Sequence, residues 1–146
     1  MTAVQEIQLP CPAGRLVKHR PPMLLIDDLL LREGDRAAAS ATIADDCPCL
    51  SPHRGLLPEY FIEIIAQTMA AANGYDALCR AEDPADGFIV GIDRFTFSSP
   101  PAEAKTFHIE IAKTMEFGAM KVMEGRVLAD AVEIAVVELK VWEQPQ

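Results

Sequence analysis

The chain has 146 residues, of which 50% are hydrophobic and 24% are charged, which suits one domain with a substantial core. Its 22 acidic residues outnumber 13 basic ones, so the formal net charge is −9. Because a protein this acidic repels phosphates, we exclude nucleic-acid binding as its main function.

The first predicted elements are two strands joined by a turn. The apolar run over residues 23–31 predicts a strand, and Glu33-Gly34-Asp35 predicts a turn after it. Residues 36–43 then predict a second strand that returns beside the first. A loop rich in Asp, Pro and Cys is expected over 45–57.

A long helix is predicted over residues 58–78. Pro58 suits the first helical position, and the carboxylate of Glu59 faces the positive end of the helix dipole. Gly74 is a candidate stop signal near or slightly before the true end of the helix. Apolar residues occupy nearly every face, so we expect the helix to be enclosed on most sides.

The same segment is apolar enough to suggest a membrane span, but its polar residues argue against one. A lipid-facing helix would not readily tolerate Glu63, Gln67, Asn73 and Asp76. The N-terminus has no basic segment followed by an apolar run, so no signal peptide is predicted. We therefore expect a cytoplasmic protein without a membrane span.

The pattern of hydrophobic residues changes from helical to alternating at Gly87. Strands are predicted over 87–97, 106–112, 120–127 and 132–142, with a turn at Asp130-Ala131. Two strands, one buried helix and four further strands predict an α+β fold in one domain, 1–146, with a lead-in over 1–15. A single sheet hides such a helix only by curling around it. One side stays open, which predicts pairing with a second copy across an apolar interface.

Cysteine usage favours packing over metal binding. The four cysteines are Cys11, Cys47, Cys49 and Cys79, and the Cys47-Pro48-Cys49 pair lacks a second pair at zinc-ligand spacing. We interpret them as reduced thiols packed as small apolar groups. No metal or organic cofactor is predicted.

Three segments carry a resemblance to a known family. Residues 18–27, Lys-His-Arg-Pro-Pro-Met-Leu-Leu-Ile-Asp, resemble the N-terminal segment of the beta-hydroxyacyl-acyl carrier protein dehydratases of the FabZ/FabA type. Residues 62–67 are similar to the Glu-x-x-Ala-Gln start of their central helix, and residues 91–97 to their Gly-Ile-Asp-x-x-x-Phe strand. The Pro-Pro-Met version and the Ala-rich helix look closest to the ApeP-like branch of aryl polyene biosynthesis.

The resemblance implies a hotdog fold, in which a curved antiparallel sheet wraps one long helix. It also implies a dehydratase that acts on 3-hydroxyacyl thioesters carried by acyl carrier protein or CoA, in fatty-acid, polyketide or aryl-polyene biosynthesis. In this family a His base and an acidic residue of the central helix come from opposite protomers of a dimer. Backbone N–H groups at the start of that helix polarise the thioester carbonyl.

Glu63 is the candidate acid. It shares one helix face with Gln67, four residues later. A carboxyl group in apolar surroundings is costly to ionise without a partner, and a retained proton is what a general acid needs. Alternatively, Glu63 is a structural acid bonded to neighbouring backbone or to Arg20. Gln67, with Pro58 and Glu59, is assigned to substrate positioning, and Gln67 is expected to hold a loop or to orient Glu63.

The base must be one of three histidines. His53 is the candidate because it lies in the loop before the helix, where the family places its base. The family's Gly-His-Phe-Pro signature is absent, however, and His53 stands only ten residues before Glu63, closer than in the family. His19, in a segment that is structural in the family, is the alternative base. His108 alternates with apolar residues on a strand and is expected to be exposed.

Carrier-protein docking requires local positive charge, because acyl carrier proteins are themselves acidic. Lys18, Arg20, Arg54 and Arg94 lie in segments expected around the site mouth and are the docking candidates. Each is equally well interpreted as a solvated surface charge.

Two further functions remain open from the sequence. One keeps the fold and changes the reaction to thioester hydrolysis. The other is a non-catalytic or weakly active subunit that binds acyl chains or completes a hetero-oligomeric dehydratase, an alternative favoured by the missing Gly-His-Phe-Pro signature.

Overall fold

The computed structural model describes residues 5–101 and 103–144. Within these ranges the chain forms one α-helix, α1 (Glu59–Cys79), a 3-10 turn at Ala13–Arg15 and nine strands. The strands are β1 (Cys11–Pro12), β2 (Ile26–Glu33), β3 (Arg36–Thr42), β4 (Leu50–Ser51), β5 (Gly55–Leu56), β6 (Gly87–Phe97), β7 (Thr106–Phe117), β8 (Met120–Ala129) and β9 (Val132–Glu143). Residues 1–4 of the predicted lead-in and 145–146 of the predicted domain lie outside the described residues.

One antiparallel sheet dominates the described chain. It has 7 strands in the order β1-β2-β3-β7-β8-β9-β6, while β4 and β5 form a separate short hairpin. The predicted α+β architecture, one long helix wrapped by a curved antiparallel sheet, is therefore confirmed. No helix among the described residues is long and apolar enough to cross a membrane.

The helix is buried against the middle of the sheet. Phe61, Ile64 and Ile65 are almost inaccessible and join Ile109 and Val127 of the sheet in one apolar core. Small residues allow this close packing: a Cβ on Gly125 of β8 would collide with Ile65. The sheet therefore covers this face of the helix closely, as the apolar composition of the helix predicts.

Strand β6 at the edge of the sheet is not covered in the same way. Ile89 and Ile92 pair across the sheet with the buried residues Val141 and Leu139 of β9, so they share the concave face. Yet Ile89 is 43% exposed and Ile92 is 48% exposed. One side of the helix-and-sheet unit is open here, as the sequence predicts.

The first long strand starts three residues later than predicted, at Ile26 and not at Met23. The main chain ahead of it bonds elsewhere: the amides of Met23 and Leu24 donate to the carbonyl of Arg20. The amide of Leu25 donates to a side chain of the helix, that of Gln67. Residues 23–25 therefore have the apolar pattern of a strand, but their backbone amides bond to Arg20 and to Gln67 and not to a neighbouring strand.

Strand β7 continues five residues beyond the predicted end at Ala112, to Phe117. The pairing of β7 with β8 shifts between Lys113 and Met115, so a bulge interrupts the alternation of buried and exposed side chains.

The predicted turn at Asp130 and Ala131 is confirmed, with φ of 50° and 64° at the two residues. Positive φ at both positions is the geometry of a tight two-residue hairpin turn.

Gly74 does not end the helix, which continues to Cys79 and so corrects the prediction for this residue. Gly74 instead lets the 3-10 turn region approach the helix backbone. A Cβ at this position would collide with the carbonyl oxygen of Leu16 and would lie 2.8 Å from its carbonyl carbon. The absent side chain therefore serves a close approach of two backbones.

We expect Gly74→Ala to lower the free energy of unfolding by about 1–3 kcal/mol, because a backbone carbonyl must move to make room. This outcome opposes helix propensity, which alone favours Ala over Gly by roughly 1 kcal/mol. Denaturant unfolding measures the change. The control is Gly91→Ala, whose Cβ would meet nothing closer than 3.8 Å. A Gly74→Ala protein at least as stable as the parent would contradict the packing argument.

Candidate active site between the helix and the sheet edge

A cavity of about 440 Å³ lies between α1, the N-terminal segment and the start of β6. This volume falls within the range of about 300–1,000 Å³ that small-molecule sites occupy. Its walls include apolar side chains of Leu16, Val17, Phe88, Ile89 and Val141. A few polar side chains, described below, interrupt this apolar lining.

One face of α1 forms the floor of the cavity. It presents Glu63, Ala66, Gln67, Ala70 and Asn73, which follow the spacing of a single helix face. The two alanines are small, so a groove remains open along the helix between the polar residues. At Asn73 this helix face meets the sheet, and the side-chain amide of Asn73 donates to Oε1 of Glu143 on β9 at 3.0 Å.

Gln67 is the buried anchor of this face, with 1% of its surface exposed. Its Oε1 accepts from the amide of Leu25 at 2.9 Å, and its Nε2 donates to the carbonyl of Met23 at 2.8 Å. The same Nε2 donates to Oε1 of Glu63 at 3.0 Å. Gln67 thus connects the N-terminal segment to the helix and orients the carboxyl group of Glu63.

Glu63 is half-buried and lines the cavity. Its Oε1 is held by Gln67, which leaves Oε2 for a ligand. The guanidinium of Arg20 is committed elsewhere, because its Nη1 donates to the carbonyls of Val17 and His19 at 2.9 and 2.7 Å. The carboxyl group is therefore positioned by a neutral amide.

The three histidines occupy different places. His19 lines the cavity together with Glu63, and its buried Nδ1 has no hydrogen-bond partner among the described residues. His53 is exposed in the turn between β4 and β5 and is not a wall of this cavity. His108 is exposed on β7, with Nε2 3.4 Å from Oε1 of Glu110. The structure therefore brings His19, and not His53, to the cavity that Glu63 of the same chain lines.

The start of the helix is crowded by the preceding loop. Pro58 stands at the N-cap and Glu59 is exposed in the first turn. The amides of Tyr60 and Phe61 donate to the carbonyls of Leu57 and Pro58, so these two groups are already occupied.

Cys49 shows how near this loop comes to the site. Burial raises the pKa of the Cys49 thiol, and the neighbouring Cys47 and the negative charge of Glu63 raise it further. All four cysteines are free thiols, and Cys11, Cys47 and Cys79 are buried. No cluster of three or more His, Cys, Asp or Glu side chains suited to a metal ion occurs within residues 5–101 and 103–144.

The four candidate docking residues lie on three separate parts of the chain. Lys18 lines the cavity, is 83% exposed and stands 3.7 Å from Asp86 on the opposite wall. Arg20 follows it and bonds backbone carbonyls, as described above. Arg54 lies beside His53 on the β4–β5 turn, and Arg94 lies on β6 opposite Glu138 of β9.

Sequence reasoning missed the outer wall of the cavity. Residues 84–86 and Phe88 line the cavity beside the helix, whereas the sequence predicts only a strand from Gly87 onward and makes no prediction for 84–86. Their composition, Pro-Ala-Asp-Gly before an apolar run, indicates a loop and a strand start but carries no information about which face the loop covers.

Comparisons with known proteins agree with this architecture. The ApeP-like family model, described as ApeP dehydratase, matches residues 11–146. No curated protein matches the sequence significantly. Among solved structures, the dehydratase heterocomplex ApeI:P from Xenorhabdus doucetiae aligns with a TM-score of 0.81 and 18% identity, covering 93% of each chain.

Two further solved structures are more distant. A Streptococcus mutans UA159 protein bound to acetyl CoA aligns with a TM-score of 0.67 at 11% identity, covering 89% of this chain and 97% of that one. The E. coli PaaI protein from the phenylacetic acid degradation operon gives 0.62 at 12% identity, with coverages of 82% and 80%. At such identities these similarities show a shared fold, the predicted hotdog fold.

We expect Gln67→Met to lower the free energy of unfolding by about 1–3 kcal/mol, because it strands the buried amide of Leu25 in a site of similar volume. Thr68→Val is the control on the same helix, since it removes only a hydroxyl that donates to the carbonyl of Ile64, itself an acceptor within the helix. Denaturant unfolding of both variants gives the comparison. Equal losses of unfolding free energy in the two variants would show that the bonds of Gln67 stabilise the fold no more than the Thr68 hydroxyl does.

Proposed function

The chain belongs to the ApeP-like dehydratase family, and we therefore propose that it removes water from a 3-hydroxyacyl thioester to give the trans-2-enoyl thioester. The observation that carries the proposal is Glu63, held by Gln67 on the wall of a largely apolar cavity. The cavity offers an acyl chain an apolar groove, and the carboxyl group of Glu63 offers a proton donor for the departing hydroxyl group.

The reaction makes two demands on the site. Elimination breaks the C2–H and C3–O bonds of the substrate and forms the C2–C3 double bond. One group accepts the C2 proton, and a second gives a proton to the departing hydroxyl, which leaves as water. In this proposal Glu63 is the second group: Gln67 donates to Oε1, and Oε2 carries the proton to the hydroxyl.

The proton acceptor must reach the same cavity. The assignment of His53 as this base stays a prediction. Because His53 lies on an exposed turn outside the cavity of its own chain, it can serve only the cavity of another protomer.

The thioester carrier is proposed to enter past Lys18. Acyl carrier protein and CoA present the same phosphopantetheine arm, and the exposed ammonium of Lys18 at the cavity edge is suited to its phosphate. The total charge of −9 disfavours long-range attraction of an acidic carrier protein. Parallel assays with both carriers distinguish the two sources of the arm.

The open side of the fold supports a second proposal, that β6 pairs with another hotdog subunit. An edge strand with exposed apolar residues is a template for association, and Ile92 and Phe97 are 48% and 50% exposed on the concave face. The similar ApeI:P structure is a heterocomplex. The partner is therefore a second copy or a different hotdog dehydratase subunit.

We expect Glu63→Gln to reduce the rate of water loss from a 3-hydroxyacyl thioester about 10²- to 10⁴-fold, because the amide cannot donate the required proton. Mass spectrometry of thioesters on carrier protein and on CoA measures the product. Glu110→Gln is the control and retains full activity, because Glu110 alternates with the buried residues of β7 and does not line the cavity. Hydrolysis to the free acid in place of dehydration would make the protein a thioesterase. No reaction with either carrier would leave a non-catalytic subunit.

We expect Ile92→Glu to weaken association at least tenfold, because it places a charge in the proposed apolar contact. Light scattering coupled to size-exclusion chromatography measures the assembly state across protein concentrations. The matched control is Met115→Glu, since Met115 is similarly exposed at 52% but lies on β7. A parent chain that stays monomeric alone points to the different subunit as the partner. Unchanged assembly of Ile92→Glu would rule out β6 as the contact.

A further inference from the structure

A second, smaller cavity of about 50 Å³ adjoins the first, between the second half of α1 and strands β7, β8 and β9. Met69, Asn73 and Val141 line both cavities, so these three side chains form a partition between the two spaces. Asn73 is also the last residue of the helix face that begins with Glu63 and forms the floor of the larger cavity. The acyl groove along the helix therefore ends at this partition.

Asn73 is the polar member of the partition, and its side chain is held in place. Its amide donates to Oε1 of Glu143 at 3.0 Å, and the ammonium of Lys121 donates to Oε2 of the same carboxylate at 2.6 Å. The side chains of Glu143 and Lys121 are only 20% and 21% exposed. Because charge-assisted bonds in partly buried surroundings are strong, Glu143 fixes the Asn73 side chain at the end of the groove.

The second cavity is lined partly by paired charges. Lys113 lies 3.3 Å from Asp35 and donates to Glu116 at 2.7 Å. Arg32 donates to both carboxylate oxygens of Asp76, at 3.1 and 2.7 Å. Removing water from such charges is costly, so a hydrocarbon chain that passed the partition would occupy only the small apolar part of this space.

We propose that the side chain of Asn73 sets the maximum length of the acyl chain by its bulk. This inference rests on the proposed function and adds the substrate class, thioesters whose apolar chain ends before the partition. Ten residues separate Glu63 from Asn73, a rise of about 15 Å along the helix. An extended hydrocarbon with bonds of about 1.5 Å and angles of about 111° advances about 1.25 Å per carbon. About 12 carbons beyond C3 therefore reach the partition, which gives a limit of about 15 carbons.

The first measurement is kcat/KM for water loss from 3-hydroxyacyl thioesters of increasing chain length, on CoA and on acyl carrier protein. We expect kcat/KM of the parent to rise up to about fourfold with each carbon that the groove buries. Beyond the limit it falls roughly tenfold or more per carbon, because the chain end meets the partition.

Two substitutions of Asn73 separate its bulk from its hydrogen bond. Asn73→Ala joins the two cavities, and the added 50 Å³ has room for about three to five water-sized groups, so the limit moves up by about two to four carbons. Asn73→Leu is the matched control: it loses the same bond to Glu143 but fills a similar volume, so the limit stays where it is in the parent. Thermal unfolding of both variants shows whether they share a loss of stability, which cannot produce a change of limit in one alone.

A second readout separates the length limit from the reaction. Calorimetry measures binding of acyl pantetheine amides of the same chain lengths, which bind without being converted. A limit in binding that moves in Asn73→Ala and not in Asn73→Leu, in a protein that forms no enoyl product, would support the role of Asn73 and overturn the dehydration.

Three results would overturn the role of Asn73. One is a dependence on chain length that is the same in the parent and in Asn73→Ala. Another is a limit that moves as far in Asn73→Leu as in Asn73→Ala, since bulk then does not set it. In both cases water loss by the parent leaves the dehydration intact. The third is absence of both binding and turnover at every chain length.

Discussion

A single buried amide, that of Gln67, holds together the parts of the proposed site. It hydrogen-bonds the carbonyl of Met23 and the amide of Leu25, which would otherwise bond to a neighbouring strand, and it donates to one carboxylate oxygen of Glu63. In the low-dielectric interior each of these bonds is costly to lose, because no water substitutes for the missing partner. The N-terminal segment that carries His19 is therefore held in a fixed position relative to the helix that carries Glu63 before any substrate binds.

Small residues set the shape around that amide. Gly74 and Gly125 bring the N-terminal turn and the sheet close to the helix, and Ala66 and Ala70 leave a groove where larger side chains would fill it. The low aromatic content of 6% is consistent with this arrangement. The fold is tight on the sheet side of the helix and open on the β6 side. We propose that this contrast provides both an acyl site and a surface for a partner subunit.

Periodic patterns in the sequence were sufficient for the main elements. The helix and the strand at Gly87 were predicted to within a residue, because their apolar spacing is determined locally. The placement of Glu63 and Gln67 on one face followed from helix geometry. Features that depend on tertiary contacts could not be predicted from the sequence. Leu25 and Met23 bond to the side chain of Gln67, which lies 42 and 44 residues further along the chain. The bulge near Met115 is a second such feature. The position of His19 on the cavity wall belongs to the same class, because it depends on the folding back of Arg20 and on the close approach at Gly74.

The central claim is that the cavity along α1 binds the acyl chain with its hydroxyl at Glu63. A crystal structure of the protein with a 3-hydroxyacyl pantetheine amide, a stable analogue of the thioester, tests it most directly. We predict that the acyl chain lies along Ala66 and Ala70 and that the C3 hydroxyl is hydrogen-bonded to Glu63. An analogue seated on another surface, with the cavity empty, would contradict the account.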